Sequence, residues 1–439
     1  METQLTVGPT RATPVARFAG SRRALWTAFV LAHAWLAFLG ALWIPHRAFY
    51  DVDLYRYWSA LGLENGVWPV FDGPWVYPVG ALLPMLLPAA VSTTSTLGYA
   101  LAWAALVTAG DAVAVWSLSR DRNTLGAWWW LAFLVLLGPV AMGRIDAILA
   151  PIVVLALLVA MQRPRVAAAL LTVGAWIKVA PGVLILPLLL IVRRPVRDVV
   201  VPAALVCTGV LGAVAVGGGL GNVASFLTEQ DARGLQVEAV FSTPWVVASL
   251  VRDNVAIVLN RELITWEIVG PGTTGAARLM DVLLPLAVAA LAVLLWRARS
   301  RPLDVLVWGS LAFATVLIVV NKVGSPQYVG WLAPPVAVAL TLRSTWPDNE
   351  AGARSRAAAP RVAGAVLLIA ALTQLIFPLA YSSLLTGGAV ISGILVVRNL
   401  LLLALLVAMG ALLATDGGRR ATVPDGDSAG AQLGRDSPR

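Results

Sequence analysis

Long apolar runs alternate with short arginine-rich segments along this chain, and the alternation constrains its fold more than any other feature. With 59% hydrophobic and only 13% charged residues, the 439-residue chain holds more apolar side chains than one compact water-soluble core can bury. A lipid bilayer must therefore serve as part of its solvent. The sequence predicts an all-α polytopic membrane protein with about twelve transmembrane helices, re-entrant or juxtamembrane helices and long extracytoplasmic loops.

The predicted spans follow the apolar runs. They cover residues 24–44, 97–118, 124–142, 145–162, 166–177, 179–192, 199–217, 277–296, 303–320, 327–342, 361–383 and 390–414. The run 78–93 contains Pro78, Pro84 and Pro88, which favour a short broken segment that dips into the membrane and returns. Two runs leave alternatives open: 166–177 is short enough for a half-helix, and 242–258 either crosses the membrane or packs against it.

Arginines between alternate spans predict the side of the membrane that each loop occupies, because cytoplasmic loops are enriched in positive charge. They occur in the N-terminus, 119–123, 162–165, 193–197, 297–301, 343–361 and the C-terminal tail. The predicted organisation is a cytoplasmic N-terminal tail (1–23), a transmembrane domain (24–414) and a disordered cytoplasmic tail (415–439), in the plasma membrane. The extracytoplasmic face then receives the loop 45–77, the junction 143–146, Lys178, the long loop 218–276 and the segment 321–327.

The first extracytoplasmic loop is both acidic and aromatic. It carries Asp51 and Asp53 together with Tyr55, Trp75 and Tyr77. Asp51 and Tyr55 lie four residues apart, which places them on one face of a helix, while Asp53 points elsewhere. A carboxylate beside aromatic rings suits a general base that takes a proton from a sugar hydroxyl, with the rings stacking on the sugar. The alternative is a solvated acidic loop whose aromatic residues anchor the helix ends at the interface.

Only two lysines occur among the 32 basic residues, and both stand at the predicted outer ends of apolar runs. Lys178 and Lys322 there either bind an anionic group such as a phosphate or reach out to lipid headgroups. Arg144 and Asp146 also fall at or within the membrane, where ionisable groups are usually paired or functional. A structural pair between these two residues is one reading.

The long loop contains Arg233, Gln236 and Glu238 in an otherwise apolar stretch, where they either bind hydroxyl groups of an acceptor or merely solvate the loop. Two histidines and the single Cys207 are too few for a metal cluster or an intrachain disulfide, so we expect neither a metal nor a cofactor. The net charge of +9 does not indicate nucleic-acid binding, because the arginines lie between apolar runs.

The order of several short motifs resembles the family 87 glycosyltransferases, which are polyprenol-phosphate-dependent mannosyl- and arabinosyltransferases. From about residue 50 to 340 the motifs are DVDLYRYW, WVYP, an R-x-D at the head of a span, IKVAPG, RGLQVEA and KVGSPQYVGWL. The resemblance implies the GT-C fold with an extracytoplasmic active site. It assigns the essential carboxylate of a D-x-x-x-Y setting to Asp51 with Tyr55 or to Asp53 with Tyr57. It gives the phosphate-facing role to Lys178, Lys322 or Arg144, and Gln327 stands where some mannosyltransferases carry a histidine.

The predicted function is the inverting transfer of a glycosyl residue, mannose on family grounds, from a polyprenyl-phosphate donor to a lipid-linked glycan acceptor. An aspartate would act as the general base. The predicted partners are the donor lipid, a glycolipid or lipoglycan acceptor and membrane lipids. The alternatives are an arabinofuranosyltransferase, a lipid or sugar transporter, and a non-catalytic scaffold for envelope synthesis. A transporter usually shows internal repeats and polar residues at the membrane midplane, whereas here the polar groups gather at one face.

Overall fold

The computed structural model describes residues 21–120, 123–228 and 233–414, so the predicted tails, apart from residues 21–23, lie outside the described part of the chain. Its helices are α1 (Arg22–Phe38), α2 (Pro45–Ala48), α3 (Tyr50–Asn65), α4 (Leu82–Ala89), α5 (Thr96–Leu118), α6 (Leu125–Leu137), α7 (Asp146–Val159), α8 (Pro164–Ile177), α9 (Ile185–Ile191), α10 (Val201–Val216), α11 (Ser225–Thr228), α12 (Thr243–Ala248), α13 (Thr273–Arg297), α14 (Pro302–Val319), α15 (Ala333–Thr341), α16 (Glu350–Gln374), α17 (Tyr381–Leu385) and α18 (Ala389–Ala414). Two strands, β1 (Ala256–Asn260) and β2 (Thr265–Val269), precede α13.

Seven helical stretches in the described ranges are long and apolar enough to cross a membrane. They are Arg22–Trp43, Thr96–Leu118, Val196–Val216, Thr273–Arg297, Pro302–Val319, Glu350–Leu379 and Ala389–Ala414. Shorter apolar helices occupy Val79–Ala89, Leu125–Ala141, Asp146–Val159, Pro164–Ile177 and Ala180–Ile191. The prediction of an all-helical polytopic membrane protein is therefore confirmed.

Polar caps and prolines fix several helix ends. The hydroxyl of Ser95 accepts a hydrogen bond from the Gly98 amide at the start of α5, and the Asn349 side chain does the same for Gly352 in α16. The Asn349 cap explains why α16 begins at Glu350, eleven residues before the predicted span. Residue 349 supplies an acceptor for the orphan amides, and the alanine-rich stretch after it favours a helix.

Two apolar segments near the predicted outer face do not form continuous membrane-spanning helices. The eight residues of α4 rise only about 12 Å, too short to cross the hydrocarbon core, as its prolines predicted. Between α8 and the turn that opens the next helix, Lys178 adopts an extended backbone. The two short helices around this break leave the lysine side chain at a helix end instead of inside a continuous span.

The helices differ greatly in how far they are buried by their neighbours. In α14, 83% of the most apolar window is buried inside the protein, whereas the value is 11% for Val196–Val216 and 17% for α13. Helix α14 therefore forms the centre of the bundle, and the last two present mostly apolar side chains outward, as helices that face lipid do.

A polar cluster lies inside the bundle between α1 and α5. The Nε2 atom of His33 lies 3.0 Å from Oδ2 of Asp111, and Nδ1 lies 2.9 Å from the carbonyl oxygen of Phe29. The indole of Trp130 donates to the other oxygen of Asp111 at 3.2 Å. His33 and Asp111 are 3% and 2% exposed, so each depends on the other to satisfy its polar atoms.

The long loop contains a β-hairpin that the prediction of an all-α chain did not include. Strands β1 and β2 are antiparallel, with Ala256 opposite Val269 and Asn260 opposite Thr265. The run 255–269 is rich in β-branched residues, and Asn260 bonds the amides of the turn with its side chain. For the segment 242–258, the structure has the six-residue helix α12 followed by β1, so this segment forms no span.

Candidate functional site

A large cavity opens at the end of the bundle where the loops 45–77 and 233–272 meet the segment 321–328. It encloses about 1620 Å³ of empty space, part of it open to solvent. Of the predicted site residues, eight line it: Asp51, Tyr77, Arg144, Lys178, Arg233, Gln236, Glu238 and Gln327. The loops predicted to share one face therefore do converge.

Asp51 lies in the first turn of α3, where its carboxylate is paired with the guanidinium of Arg144. The guanidinium Nε lies 3.3 Å from Oδ2 of Asp51. Its Nη1 donates to the carbonyl oxygens of Ala48 and Gly143, at 3.1 and 3.2 Å. The proposed pair between Arg144 and Asp146 is wrong, because Arg144 turns toward Asp51 and Asp146 turns toward Lys178.

Asp53 points away from the cavity. Its Oδ1 accepts hydrogen bonds from Nε of Arg56 at 2.8 Å and from the hydroxyl of Thr96 at 3.0 Å. Two residues along a helix rotate a side chain by about 200°, so Asp51 and Asp53 cannot face the same ligand.

Four aromatic rings form an edge-to-face and stacked group behind Asp51. The rings are Tyr55, Trp58, Trp75 and Tyr77, with centroid separations from 5.3 to 6.3 Å. Trp58 and Tyr77 line the cavity, whereas Tyr55 and Trp75 lie behind them at 0% and 4% exposure. The Tyr55 hydroxyl accepts from the Ile145 amide at 3.1 Å. Burial and then the Asp51 charge raise the pKa of Tyr77 to about 12, so its hydroxyl stays protonated and can donate.

Lys178 lines the cavity, and Asp146 holds its side chain in place. Its ammonium donates to Oδ2 of Asp146 at 2.7 Å, and Oδ1 accepts from the Trp331 indole at 2.6 Å. The ammonium also lies 5.1 Å from the centroid of the Tyr328 ring. The ammonium has three N–H donors and Asp146 accepts from one of them, so Lys178 can also donate to a ligand in the cavity.

Lys322 lies outside the cavity lining, so the expectation that its ammonium faces a phosphate is not met. The ammonium donates to Asp281 of α13 at 3.0 Å, and the carbonyl oxygen of Lys322 accepts from the Gln236 amide at 2.9 Å. Lys322 thus joins α13 to the loop that carries Gln236, and it is buried at 6% exposure.

The second wall of the cavity is built by residues 233–238 and the segment 324–328. The side-chain oxygen of Gln236 accepts from the Gly324 amide at 3.1 Å, and Gln327 lines the same wall. A Cβ atom at Gly324 would collide with the backbone of Glu238 and Ala239, so only glycine permits this close approach. Arg233 lines the cavity as well, and the Gly234 amide beside it donates to Glu267 of β2.

Glu238 is 4% exposed and its Oε2 has no hydrogen-bond partner among the described residues. Burial raises the pKa of its carboxyl to about 7, while Arg398 and Tyr381 oppose that rise. Arg398 of α18 donates from Nη2 to the Glu238 carbonyl oxygen at 2.9 Å. Burial and the neighbouring Glu238 raise the pKa of Tyr381, so Tyr381 remains a hydrogen-bond donor.

Sequence reasoning missed several residues of the cavity and its support. Arg47 lines it and donates to the Pro378 carbonyl oxygen at 3.1 Å and to Ser382 at 2.9 Å. Tyr381 and Arg398 come from the two C-terminal elements. A charged residue inside the apolar run 390–414 was the signal for Arg398. Within the described ranges, no cluster of three or more His, Cys, Asp or Glu side chains could hold a metal ion.

A second, apolar cavity lies between the helices next to Lys178. It encloses about 380 Å³ of empty space and is lined by α7, by residues 180–184, by α14 and by residues 330–334. Trp331, which donates to Asp146, forms part of its wall. The carboxylate of Asp146 therefore links the ammonium of Lys178 to Trp331 in the wall of this apolar cavity.

Comparison with known proteins gives one family and two solved structures. The family model described as glycosyltransferase family 87 matches residues 75–321, a range that leaves out Asp51, Asp53, Lys322 and Gln327. The crystal structure of ArnT from Cupriavidus metallidurans in the apo state is similar to this chain, with 15% sequence identity and a TM-score of 0.45. The match covers 90% of this chain and 78% of the ArnT chain. The structure of the same protein bound to undecaprenyl phosphate is 15% identical, with a TM-score of 0.44, covering 89% and 78%. No curated protein matches this chain.

Proposed function

The chain belongs to glycosyltransferase family 87, as its motifs predicted, and from that membership we propose that it transfers a sugar from a polyprenyl-phosphate donor to a lipid-linked glycan. The observation that carries the proposal is the presence of the Asp51 carboxylate and the Lys178 ammonium in the walls of one cavity, with the Tyr77 hydroxyl also in that lining. These groups supply a base for an incoming hydroxyl and a cation for a departing phosphate.

In the proposed reaction, the acceptor hydroxyl gives its proton to Asp51 as its oxygen attacks the anomeric carbon of the donor. The bond between that carbon and the phosphate oxygen breaks on the opposite side, so the configuration inverts. The electron pair leaves with the polyprenyl phosphate, whose developing charge Lys178 and its neighbours stabilise. Asp51 enters this step already fixed by Arg144, so little reorientation is needed.

Arg144 is best assigned to Asp51 and not to the phosphate. Its Nη1 is occupied by two backbone carbonyl oxygens, and its Nε faces the carboxylate. A guanidinium placed in this way positions the base. Lys178 is then the first candidate for the donor phosphate, and Arg233 and Arg47 add to the positive lining.

The apolar cavity beside Lys178 supports a lipid donor. A phosphate held by the ammonium would place the first isoprene units against α7 and α14, where the walls are apolar. We propose that the arginine-rich loops lie on the cytoplasmic side, so that transfer occurs on the extracytoplasmic face of the plasma membrane. Mannose and arabinofuranose remain the two candidate sugars, with mannose preferred on family grounds.

The test uses membranes that contain the wild type, Asp51→Asn or Asp53→Asn, supplied with radiolabelled polyprenyl-phosphate mannose or arabinofuranose and an envelope glycolipid extract. We expect Asp51→Asn to lose about a hundredfold to ten-thousandfold in rate, the usual contribution of a general base, and Asp53→Asn to stay within a few-fold of the wild type. Undiminished transfer by Asp51→Asn would refute the proposed base. No transfer of either sugar by the wild type would favour a transporter or a scaffold.

A further inference from the structure

Glu238 is an acidic group of the cavity wall that the proposed transfer step does not use. The residue lines the cavity at 4% exposure, and its Oε2, which has almost no exposed surface, lacks a hydrogen-bond partner among the described residues. Burying a carboxylate oxygen without a partner costs free energy, and native proteins seldom tolerate it without a reason. A ligand that donates a hydrogen bond to this carboxyl group would offset part of that cost.

The position of the carboxylate is fixed by three parts of the chain. Arg398 of α18 donates to the Glu238 carbonyl oxygen at 2.9 Å. The backbone at Gly324 packs so closely on Glu238 that a side chain there would collide with it. The Tyr381 hydroxyl of α17 interacts with the carboxylate. A group held in this way binds a ligand with little loss of conformational freedom.

The neighbouring groups indicate what kind of ligand fits. Glu238 shares its wall with the amides of Gln236 and Gln327 and with the hydroxyl of Tyr381. Amides and hydroxyls both donate and accept, and a carboxylate accepts from hydroxyls. An anionic ligand group would be repelled by Glu238, so the phosphate belongs near Lys178. The fitting ligand is an uncharged group with several hydroxyls, which is a sugar.

We propose that Glu238 is the sugar-binding residue of an acceptor subsite, in which its carboxyl group accepts hydrogen bonds from hydroxyl groups of the acceptor's terminal sugar and thereby selects the acceptor. The proposal rests on the proposed function, because it requires an acceptor sugar in the cavity opposite Asp51. It adds a specificity-determining residue to that reaction and assigns the second wall to the acceptor.

Direct binding tests the proposal without requiring transfer. The full-length protein in lipid nanodiscs is titrated calorimetrically with octyl α-mannoside, octyl β-glucoside and octyl β-galactoside, and separately with farnesyl phosphate. We expect the wild type to bind at least one glycoside and Glu238→Gln to bind it about tenfold more weakly or worse, because an NH2 group that can only donate replaces one acceptor oxygen. Binding of farnesyl phosphate should stay within about twofold.

Two further variants separate sugar binding from support of the fold. Glu238→Asp keeps the negative charge beside Arg398 but withdraws the carboxylate oxygens by one methylene, and it should lose glycoside affinity as Glu238→Gln does. Glu64→Gln makes the same chemical change at an exposed position near the end of α3 and should bind like the wild type. Wild-type glycoside affinity in both Glu238 variants would overturn the proposal, as would a matching loss of farnesyl phosphate binding in them. No glycoside binding by the wild type would also overturn it. If glycoside binding depends on Glu238 while the wild type transfers no sugar, the proposed function fails and the sugar site stands.

Discussion

Gly324 shows how one residue without a side chain holds together the two segments of the second wall of the cavity. Its amide donates to Gln236, and its Cα lies against the backbone of Glu238 and Ala239. We expect Gly324→Ala to lower the free energy of unfolding by about 1–3 kcal/mol, the range for overpacking, and to lower transfer activity at least about tenfold. Thermal unfolding in detergent and initial rates measure the two effects.

The control for Gly324→Ala is Gly275→Ala in the first turn of α13, where an added Cβ would meet nothing within 4 Å. This variant should keep both stability and activity. If Gly324→Ala behaved in the same way, the close packing of the segment 321–327 on Glu238 would not matter for the site.

At the scale of single residues, the sequence predicted which residues lie in the site better than it predicted which residues contact one another. The helical spacing already separated Asp51 from Asp53, because four residues keep a side chain on one helix face and two do not. It could not show that Arg144 reaches Asp51, or that Glu238 meets Arg398, since these residues are 93 and 160 positions apart. Such pairs depend on how distant helices pack, and local patterns carry no information about that packing.

At the scale of elements, the pair of His33 and Asp111 joins α1 to α5. The carbonyl oxygen of Phe29 can only accept, so Nδ1 of His33 carries a proton. We expect His33→Leu and Asp111→Leu each to cost about 3–5 kcal/mol, because each leaves a buried polar partner alone, and the double variant to cost clearly less than their sum.

Unfolding in mixed detergent micelles, measured for the two single variants and the double variant, gives the coupling energy of the pair. Additive effects would mean that His33 and Asp111 do not depend on each other. The bond from Trp130 to Asp111 is present in both the wild type and His33→Leu and absent from both variants that lack Asp111. It therefore cancels from the coupling energy.

Element boundaries followed from hydropathy wherever a helix crosses the bilayer, because apolar length is the physical requirement there. They were harder to predict where other forces act. The start of α16 depends on the Asn349 cap, and the hairpin of β1 and β2 depends on turn bonds made by Asn260. Both features lie in segments that hydropathy alone classes as loop.

At the scale of the whole molecule, the two cavities together predict how the donor's lipid length matters. Ala150→Phe would fill the apolar cavity between α7 and α14 without touching the groups around Asp51. We expect this variant to raise the KM for a long polyprenyl-phosphate donor by about tenfold, since several buried CH₂ groups of the lipid lose their place. The KM for a donor with a very short chain should change little.

Steady-state rates with donors of two chain lengths test this expectation. The KM for the acceptor serves as the internal control, because the second wall (233–238 and 324–328) shares no residue with the lining of the apolar cavity. Equal KM changes for long and short donors would contradict a lipid-binding role for the apolar cavity.

The contact between Arg398 and Glu238 has a consequence for the order in which the molecule is assembled. Glu238 is synthesised long before Arg398, which belongs to α18. Until α18 has left the ribosome and entered the bilayer, the carbonyl oxygen of Glu238 lacks that donor and the second wall lacks its support. The second wall is thus complete only after α18 has been synthesised and inserted, so a nascent chain whose earlier helices are already in place has no finished pocket.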